Sequence, residues 1–417
     1  MTSPLALLGG PPTVTQTTPH FTWPPLDDQS EAAVMSQLRR SISIYDRSGV
    51  VERLEEELCE YHGVTHAVLT SSGTAALHSM YAACGLGPGD EVIVPAYTFF
   101  ATVTPLLHLG ATPVLADCDE SGNLGSKDVA QRITERTKAV VVSHMWGVPA
   151  AMQALKAITD EHDLMLLEDA SHAHGASIDG QRVGTFGWAA AFSMNGPKPL
   201  SAGEGGFVLT DDDEVYYRVL LHGQYNKRCR SELPRGHNLY DYAVTGMGLK
   251  FRIHPLAAAI ALDQLGRLDH YLTERATTAA YLSERLSELP GVIAPELPLG
   301  VRASWYGLPL QYATNELDRL PVERFYKALQ AEGCREVDRP GSTCPLNLLP
   351  LFQRPEPLFP EYSDKVSYSP GDFPNAEAIH HNTLKLPVWH GKEDMPLVDR
   401  YIDAFRKVIE NYCDLLG

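Results

Sequence analysis

Three segments of the 417-residue chain combine residue types that can do chemistry together. The first, Leu69–Leu77, reads LTSSGTAAL and joins an aliphatic run to a helical pattern. The amino terminus of a helix offers free N–H groups and the positive end of the helix dipole, so it suits a phosphate group. The hydroxyl groups of Ser72 and Thr74 add donors, although both residue types also serve as ordinary helix caps. This segment predicts a phosphate site, with a plain cap as the alternative.

The second segment, Leu166–Gly175, ends an aliphatic run in an acidic pair and two histidines. Ligands of open α/β sheets bind at the carboxyl ends of strands, which is where Asp169 lies in this pattern. A carboxylate buried there needs a cationic partner to stay ionised. His172 and His174 have a spacing that a metal pair can use, but no third ligand follows at a useful spacing, so we predict no metal.

The third segment, Phe192–Gly206, places Lys198 between two prolines and ahead of a glycine cluster. A lysine between two prolines cannot lie inside a helix, so a turn or extended backbone must hold it. Alone, this lysine is equally well explained as a solvated loop residue. With a phosphate seat and a strand-end aspartate, it completes the set that pyridoxal phosphate requires: an amine for a Schiff base, an anion for the ring nitrogen and a phosphate cradle.

Short aliphatic runs that alternate with helical patterns are expected to position these segments. Strands are predicted at 67–70, 91–94, 112–116, 139–142, 164–167, 189–193 and 206–210. Helices are predicted between them, among others at 74–84, 99–109 and 150–162. Such apolar runs are typical of a mostly parallel sheet that helices cover on both faces. The predicted fold class is therefore α/β.

The pattern divides the chain into three regions. Residues 1–24, rich in Pro, Thr and Gly, predict an irregular arm that lies on a surface. Residues 25–270 hold the alternating pattern and predict a large domain that binds the cofactor. Residues 271–417, with helices and a few short strands, predict a smaller α+β domain. Within the large domain, the polar and aromatic stretch 223–248 is longer than most loops, which favours a lid.

Composition and charge narrow the class of protein. The chain has 34 basic and 52 acidic side chains, a formal net charge of −18. This argues against a nucleic-acid partner, which needs a surplus of Lys and Arg. The seven cysteines are scattered, as expected for reduced thiols. No stretch approaches the ~18 apolar residues of a membrane span, and the first residues lack a signal-peptide pattern. We expect a cytoplasmic protein with no membrane partner.

With these motifs, the sequence resembles the DegT/DnrJ/EryC1/StrS family of PLP-dependent aminotransferases, which act on sugar, cyclitol and related keto substrates. The resemblance runs over most of residues 30–390, in the segments 71–77, 94–101, 168–176, 192–206, 251–264 and 386–388. It implies the type I aminotransferase fold and pyridoxal 5′-phosphate as cofactor. It also implies transfer of an amino group from glutamate or glutamine to a keto-sugar, keto-cyclitol or related acceptor, in aminosugar, antibiotic or other secondary-metabolite biosynthesis. Because paired subunits complete each other's sites in this family, we expect a homodimer.

The resemblance implies a role for each matching residue. Lys198 is expected to form the Schiff base, and Asp169 to pair with the ring nitrogen. His172 falls where the family often has Gln or His near the 3′ oxygen of the cofactor. Phe99 is expected to stack on the ring. The remaining expected cofactor contacts are Ser72, Gly73, Thr74 and Ser193.

The sequence departs from the family pattern around the predicted lid. Lys250 stands where the family commonly has an Asn that reaches the neighbouring subunit's phosphate, and a charged contact is expected in its place. The basic group 227–230 (KRCR) fits either an anionic substrate or a solvated loop. Further candidates for the substrate pocket are Tyr97, Glu204, Tyr225 and Arg252, which fit core packing or a surface loop equally well.

Other functions stay open on the sequence alone. Some relatives are PLP-dependent dehydratases that carry His at the Schiff-base position, where this chain has Lys198, while others keep the lysine for elimination, another lyase reaction or amino-acid modification. A non-catalytic regulatory protein with the same fold is a more remote alternative, since both Lys198 and Asp169 are present. Within the family, the segment 173–176 (AHGA) is similar to aminohydroxybenzoate synthases, whereas the opening LALLGG is similar to cyclitol aminotransferases of aminoglycoside pathways.

Overall fold

The structure is a computed structural model that describes residues 4–416. Its strands, numbered in chain order, are β1 (His66–Thr70), β2 (Glu91–Pro95), β3 (Tyr97–Phe99), β4 (Thr112–Ala116), β5 (Thr137–Ser143), β6 (Met165–Asp169), β7 (Ser177–Ile178), β8 (Gln181–Arg182), β9 (Ala189–Ser193), β10 (Gly206–Thr210), β11 (Val292–Ile293), β12 (Val301–Arg302), β13 (Leu308–Tyr312), β14 (Thr343–Pro345) and β15 (Thr383–Leu386).

The helices alternate with these strands over the first two thirds of the chain. They are α1 (Asp28–Arg40), α2 (Gly49–His62), α3 (Gly73–Ala83), α4 (Thr104–Leu109), α5 (Ser126–Arg132), α6 (Met152–Glu161), α7 (Asp213–Gly223), α8 (Lys227–Glu232), α9 (Pro255–Leu265), α10 (Leu268–Ser287), α11 (Val322–Ala331), α12 (Pro350–Gln353), α13 (Pro374–Asn382) and α14 (Met395–Glu410). Among residues 4–416, no helix is both long and apolar enough to cross a bilayer.

A seven-stranded sheet lies at the centre, in the order β1-β10-β9-β6-β5-β2-β4. The neighbours from β9 to β4 are parallel, and β10 runs antiparallel to both β9 and β1. Consecutive residues of a strand enter different apolar clusters: Val92 and Val94 pack on one face, and Ile93 packs on the other. The prediction of an α/β fold with a mostly parallel sheet is confirmed.

The segment after β2 differs from the predicted helix 99–109. Its first residues extend as β3, which pairs with β14 from far along the chain. A short 3-10 turn, Phe100–Thr102, follows, and α4 begins only at Thr104, with Pro105 in its first turn. Proline suits the first turn of a helix, where its missing N–H is not needed. The difference places Phe99 at a strand end rather than inside a helix.

The first residues of the chain pack against its last third. Leu5 and Val14 are buried in an apolar cluster with residues of α11 and α14. Residues 4–24 are thus partly inserted into the core, not merely laid on a surface. A three-stranded sheet, β11-β13-β15, completes this part. The predicted domain boundary between 270 and 271 falls inside α10, and the division into domains stays a prediction.

Candidate active site

The carboxyl ends of several strands meet at one edge of the central sheet. Thr70, Gly206 and Ser193 are paired across the neighbouring strands β1, β10 and β9. Ala191, Asp169 and Ser143 are paired across β9, β6 and β5. A cavity of about 320 Å³ lies at this edge. Its lining residues are Ser72, Gly73, Thr74, Leu77, Thr98, Phe99, Ala101, Ser143, Asp169, Ser171, His172, Ser193, Asn195, Lys198, Glu204, Tyr306, Ser342 and Thr343. All three segments that the sequence analysis selected therefore contribute to one site.

The amino terminus of α3 forms one end of the cavity. Ser72 caps this helix, because its hydroxyl group accepts a hydrogen bond of 3.1 Å from the Ala75 N–H. A Cβ atom on Gly73 would lie 2.5 Å from the Cβ atom of Ser193, so only glycine allows this close approach. Thr74 and Ser193 line the same end. Ser72 thus both caps the helix and borders a place suited to an anion.

Asp169 has a fixed orientation at the end of β6, where its side chain is 5% exposed. The Thr102 hydroxyl donates to Oδ2 over 2.7 Å, and the Ser171 N–H donates to Oδ1 over 3.1 Å. The other member of the acidic pair, Glu168, accepts hydrogen bonds from the backbone N–H groups of Gly184, Phe186 and Gly187. Successive strand residues face opposite sides of a sheet, so Asp169 lines the cavity while Glu168 holds a loop.

Lys198 reaches the cavity from a turn that its own N–H closes, through a 2.9 Å hydrogen bond to the Asn195 carbonyl. Its Nζ atom lies 4.5 Å from the centre of the Tyr306 ring. Burial lowers the pKa of Lys198 to about 8; Asp169 opposes this shift, and the ammonium group of Lys385 adds to it. The amine therefore becomes neutral at a much lower pH than an exposed lysine does.

His172 is buried in the cavity wall with its ring stacked on Tyr306, the ring centres 4.1 Å apart. Burial holds the pKa of His172 well below its usual range, and Lys198 adds to the shift, so the imidazole is neutral. Its Nδ1 atom has no hydrogen-bond partner among the described residues. Because His172 lines the cavity, this nitrogen is available to a bound ligand. The Nε2 atom of His174 bonds the Ser193 carbonyl over 2.8 Å; its Nδ1 atom also has no partner among the described residues, but His174 does not line the cavity.

The candidates for substrate contacts separate in the structure. Glu204 lines the cavity and accepts a 2.9 Å hydrogen bond from the Asn195 amide. Tyr97 is buried beside the cavity without lining it. Tyr225 and Arg252 do not line the cavity of their own chain, and neither does Lys250, which was expected to contact the cofactor phosphate.

The structure also changes the interpretation of the basic group 227–230. Arg228 is only 2% exposed. Its two terminal nitrogens donate to Glu55 over 2.7 and 2.8 Å, and its Nε donates to Glu232 over 2.8 Å. It is therefore an internal ion-pair residue, not a contact for an anionic substrate. Long-range burial, which a basic run in a polar segment does not reveal, explains the difference.

Several lining residues were missed by sequence reasoning. Thr102, which does not line the cavity but holds Asp169, directly follows the segment 94–101 and was missed as well. Tyr306, Ser342 and Thr343 come from the last third of the chain, where no local pattern distinguishes them from loop and strand residues. Only the pairing of β14 with β3 brings Thr343 opposite Phe99.

The groups around the cavity fit pyridoxal phosphate. A helix amino terminus with hydroxyl groups suits the phosphate, and the buried carboxylate suits a protonated ring nitrogen. An amine of lowered pKa suits a Schiff base, and the unpartnered imidazole nitrogen of His172 leaves room for one more polar contact.

Comparison with known proteins places these features in a family. The model of the DegT/DnrJ/EryC1/StrS aminotransferase family matches residues 26–398. The chain is 34% identical to an L-glutamine:scyllo-inosose aminotransferase of Streptomyces griseus over 99% of both chains. It is 29% identical to a GDP-perosamine synthase of Vibrio cholerae, covering 92% of this chain and 96% of that protein.

A solved structure of 3-amino-5-hydroxybenzoic acid synthase has the same fold, with a TM-score of 0.75 at 27% identity. The alignment covers 93% of this chain and 98% of that one. The match of the family model, the relatives and the fold agree with the cavity described above. The protein belongs to the DegT/DnrJ/EryC1/StrS family and is an aminotransferase that uses pyridoxal phosphate as its cofactor.

Proposed function

We propose that this aminotransferase moves an amino group from L-glutamine to a keto-cyclitol, a ring ketone that carries several hydroxyl groups. The observation that most supports this acceptor is the similarity to a glutamine:scyllo-inosose aminotransferase along the whole chain. The cavity adds support, because hydroxyl and amide groups make up most of its polar lining, and these groups suit the hydroxyl groups of a neutral polyol.

We propose the following roles for the residues of the site. The amino terminus of α3, with Ser72, Gly73, Thr74 and Ser193, holds the phosphate. Asp169, oriented by Thr102 and Ser171, pairs with the ring nitrogen, and His172 contacts the 3′ oxygen. Phe99 would pack on the ring face, and the Nζ of Lys198 would hold the cofactor covalently.

Lys198 also carries the proton in this proposal. When bound, pyridoxal phosphate supplies an electron-withdrawing ring that weakens the C–H bond next to the donor's nitrogen. The freed Nζ of Lys198 accepts this proton and returns it at a neighbouring carbon, because a pKa near 8 leaves part of the amine neutral. Tyr306, from the last third of the chain, covers the amine, and the His172 ring stacks on Tyr306, which limits access of water.

A nitrogen-transfer experiment tests the proposed reaction. The purified protein is given L-glutamine labelled at its α-nitrogen, together with scyllo-inosose or a nucleotide-linked ketosugar, and the labelled amine is measured by mass spectrometry. We expect label in the aminocyclitol. Label in the nucleotide sugar alone would contradict the proposed acceptor, and release of ammonia without transfer would favour the lyase alternative.

We further propose that the protein works as a homodimer in the cytoplasm. The Ser71 N–H, next to the phosphate end, donates to the Phe251 carbonyl over 2.7 Å. Lys250 and Arg252 flank Phe251 in the chain, but neither lines the cavity of its own subunit. We propose that they contact the cavity of the second subunit. The seven cysteines are free thiols, in line with a reducing compartment. Light scattering in solution tests the dimer. We expect the mass of two chains, and the mass of one chain would contradict the proposal.

A further inference from the structure

The indole of Trp23 contacts the backbone of the proposed Schiff-base lysine. Its Nε1–H donates to the Lys198 carbonyl over 2.8 Å. This bond comes from outside the turn that holds Lys198. Pro197 and Pro199 on either side have no N–H to donate, so the Trp23 bond restrains a turn with few hydrogen bonds of its own.

Trp23 is the end of a segment that is fastened to the last third of the chain. The His20 ring bonds the Tyr401 hydroxyl over 2.8 Å, and the His20 carbonyl accepts the indole N–H of Trp389 over 2.6 Å. Farther back, the Thr13 N–H and hydroxyl both donate to Glu332. These contacts leave Trp23 little freedom to move away from Lys198.

Arg275, in α10, packs against the face of the Trp23 indole. Its guanidinium carbon lies 3.9 Å from the centre of the Trp23 ring, and the side chain is only 2% exposed. Among the described residues no carboxylate offsets the burial of this guanidinium, which lies against the indole face. Its Nη1 donates to the Trp305 carbonyl over 3.0 Å.

Trp23 and Arg275 each make one hydrogen bond that bears on the position of the Lys198 amine. Trp23 holds the backbone of Lys198, while Arg275 holds the residue before Tyr306, whose ring lies 4.5 Å from the Lys198 Nζ. We propose that Trp23 and Arg275 form a positioning pair that fixes the Lys198 turn and the Tyr306 ring relative to each other. The amine then stays aligned while it carries the proton. This inference rests on the proposed role of Lys198.

Trp23→Phe tests the pair, because it keeps a smaller aromatic ring beside Arg275 and removes the N–H that holds the Lys198 carbonyl. We expect kcat to fall about tenfold with the KM for glutamine nearly unchanged, because a misaligned reacting group slows the chemical step without weakening substrate binding. The ascending limb of kcat with pH should move to higher pH by ~0.5 unit, since a looser turn lets water reach the amine. The pH titration of the visible absorption, without substrates, should move as well.

Tyr312→Phe is the control. It also removes one side-chain hydrogen bond to a backbone carbonyl, that of Leu320, but this bond is not among the contacts that hold Trp23 or Lys198. We expect a lower thermal midpoint with an unchanged pH profile and absorption titration. Equal shifts in both variants, or none in Trp23→Phe, would overturn the proposal.

Arg275→Lys provides a second test should Trp23→Phe fail to fold. It keeps a basic side chain but loses the planar stacking, and we expect a smaller shift in the same direction. No shift with Arg275→Lys would also count against the pair. Borohydride trapping of the cofactor on Lys198 in the unmodified protein separates the two proposals. Without trapping, the role of Lys198 fails, whereas trapping with unshifted variants overturns the positioning pair alone.

Discussion

At the scale of single residues, the proposed chemistry depends on two side chains with opposite demands. Burial lowers the pKa of Lys198 to about 8 although Asp169 favours its charged form. Asp169 itself is held by the Thr102 hydroxyl and the Ser171 N–H. The same cavity therefore contains a base that is partly neutral and an anion with a fixed direction, which is the combination that proton transfer on this cofactor requires.

Removing the amine should abolish the reaction. We expect Lys198→Ala to lose both turnover and the visible absorption of covalently bound cofactor, because no other amine lines the described cavity. Absorption spectra and the nitrogen-transfer assay measure the two effects. Lys156→Ala, on the exposed surface of α6, is the control and should keep both. Retention of either property in Lys198→Ala would contradict the assignment.

Neutralising the carboxylate should separate binding from turnover. Asp169→Asn keeps the size of the side chain, so we expect cofactor to remain bound while kcat falls by roughly a hundredfold or more. Thr102→Val removes one hydrogen bond to Asp169 and should produce a smaller loss in the same direction. Steady-state kinetics with saturating cofactor measures both. A near-normal kcat for Asp169→Asn would exclude the proposed role.

At the scale of elements, the turn from β1 into α3 depends on the contact between Gly73 and Ser193. A methyl group on Gly73 would lie 2.5 Å from the Ser193 Cβ, so we expect Gly73→Ala to push β9 and α3 apart and weaken cofactor binding at least tenfold. Equilibrium titration with pyridoxal phosphate measures the change. Gly236→Ala, where a Cβ atom meets nothing within 4 Å, should bind normally. Equal affinity of Gly73→Ala and the unmodified protein for pyridoxal phosphate would contradict the prediction and show that the turn adjusts to the added methyl group.

The predicted lid is anchored by α8. Arg228 pairs with the fully buried Glu55, which also accepts the Leu69 N–H at the end of β1 over 3.0 Å. Arg228→Met removes one of two cationic partners of Glu55, whose Oε2 also accepts a 3.2 Å hydrogen bond from the Arg47 Nε, so we expect the free energy of unfolding to fall by about 1–3 kcal/mol. Urea unfolding at fixed protein concentration measures it. Arg230→Met, on the exposed side of the same helix, should change stability little.

At the scale of the whole molecule, buried histidines predict acid sensitivity. Burial lowers the pKa of His62 and of His174 to about 3. Between that pH and about 6.5 the unfolded chain binds protons at these rings and the folded chain does not. Stability is therefore present above about pH 6.5 and falls on acidification, by up to ~1.4 kcal/mol per pH unit for each ring.

Urea unfolding across this pH range measures the loss. In His62→Gln the free energy of unfolding should vary less steeply with pH, by the contribution of one imidazole. The variant lacks one ring that binds a proton in the unfolded chain but not in the folded chain. An unfolding free energy that does not vary between pH 4 and pH 6.5 would contradict burial of neutral histidines.

The local features of the site were predictable from sequence. The strand-end position of Asp169, the turn around Lys198 and the helix start at Ser72 all follow from residue types and spacing within about ten positions. The helix predicted at 99–109 was wrong in its first turn, because β14 imposes an extended backbone on residues 97–99. No pattern within 99–109 contains that information.

By itself the sequence determined the reactive groups, their order along the chain and the parallel sheet that gathers them, because periodicity and turn chemistry act over a few residues. The tertiary structure decided which polar groups are used internally and which face the cavity. It buried Arg228 against Glu55, placed Tyr306 and Thr343 in the site and brought Trp23 to the Lys198 carbonyl. Those outcomes depend on packing between residues far apart in sequence, which no local pattern records.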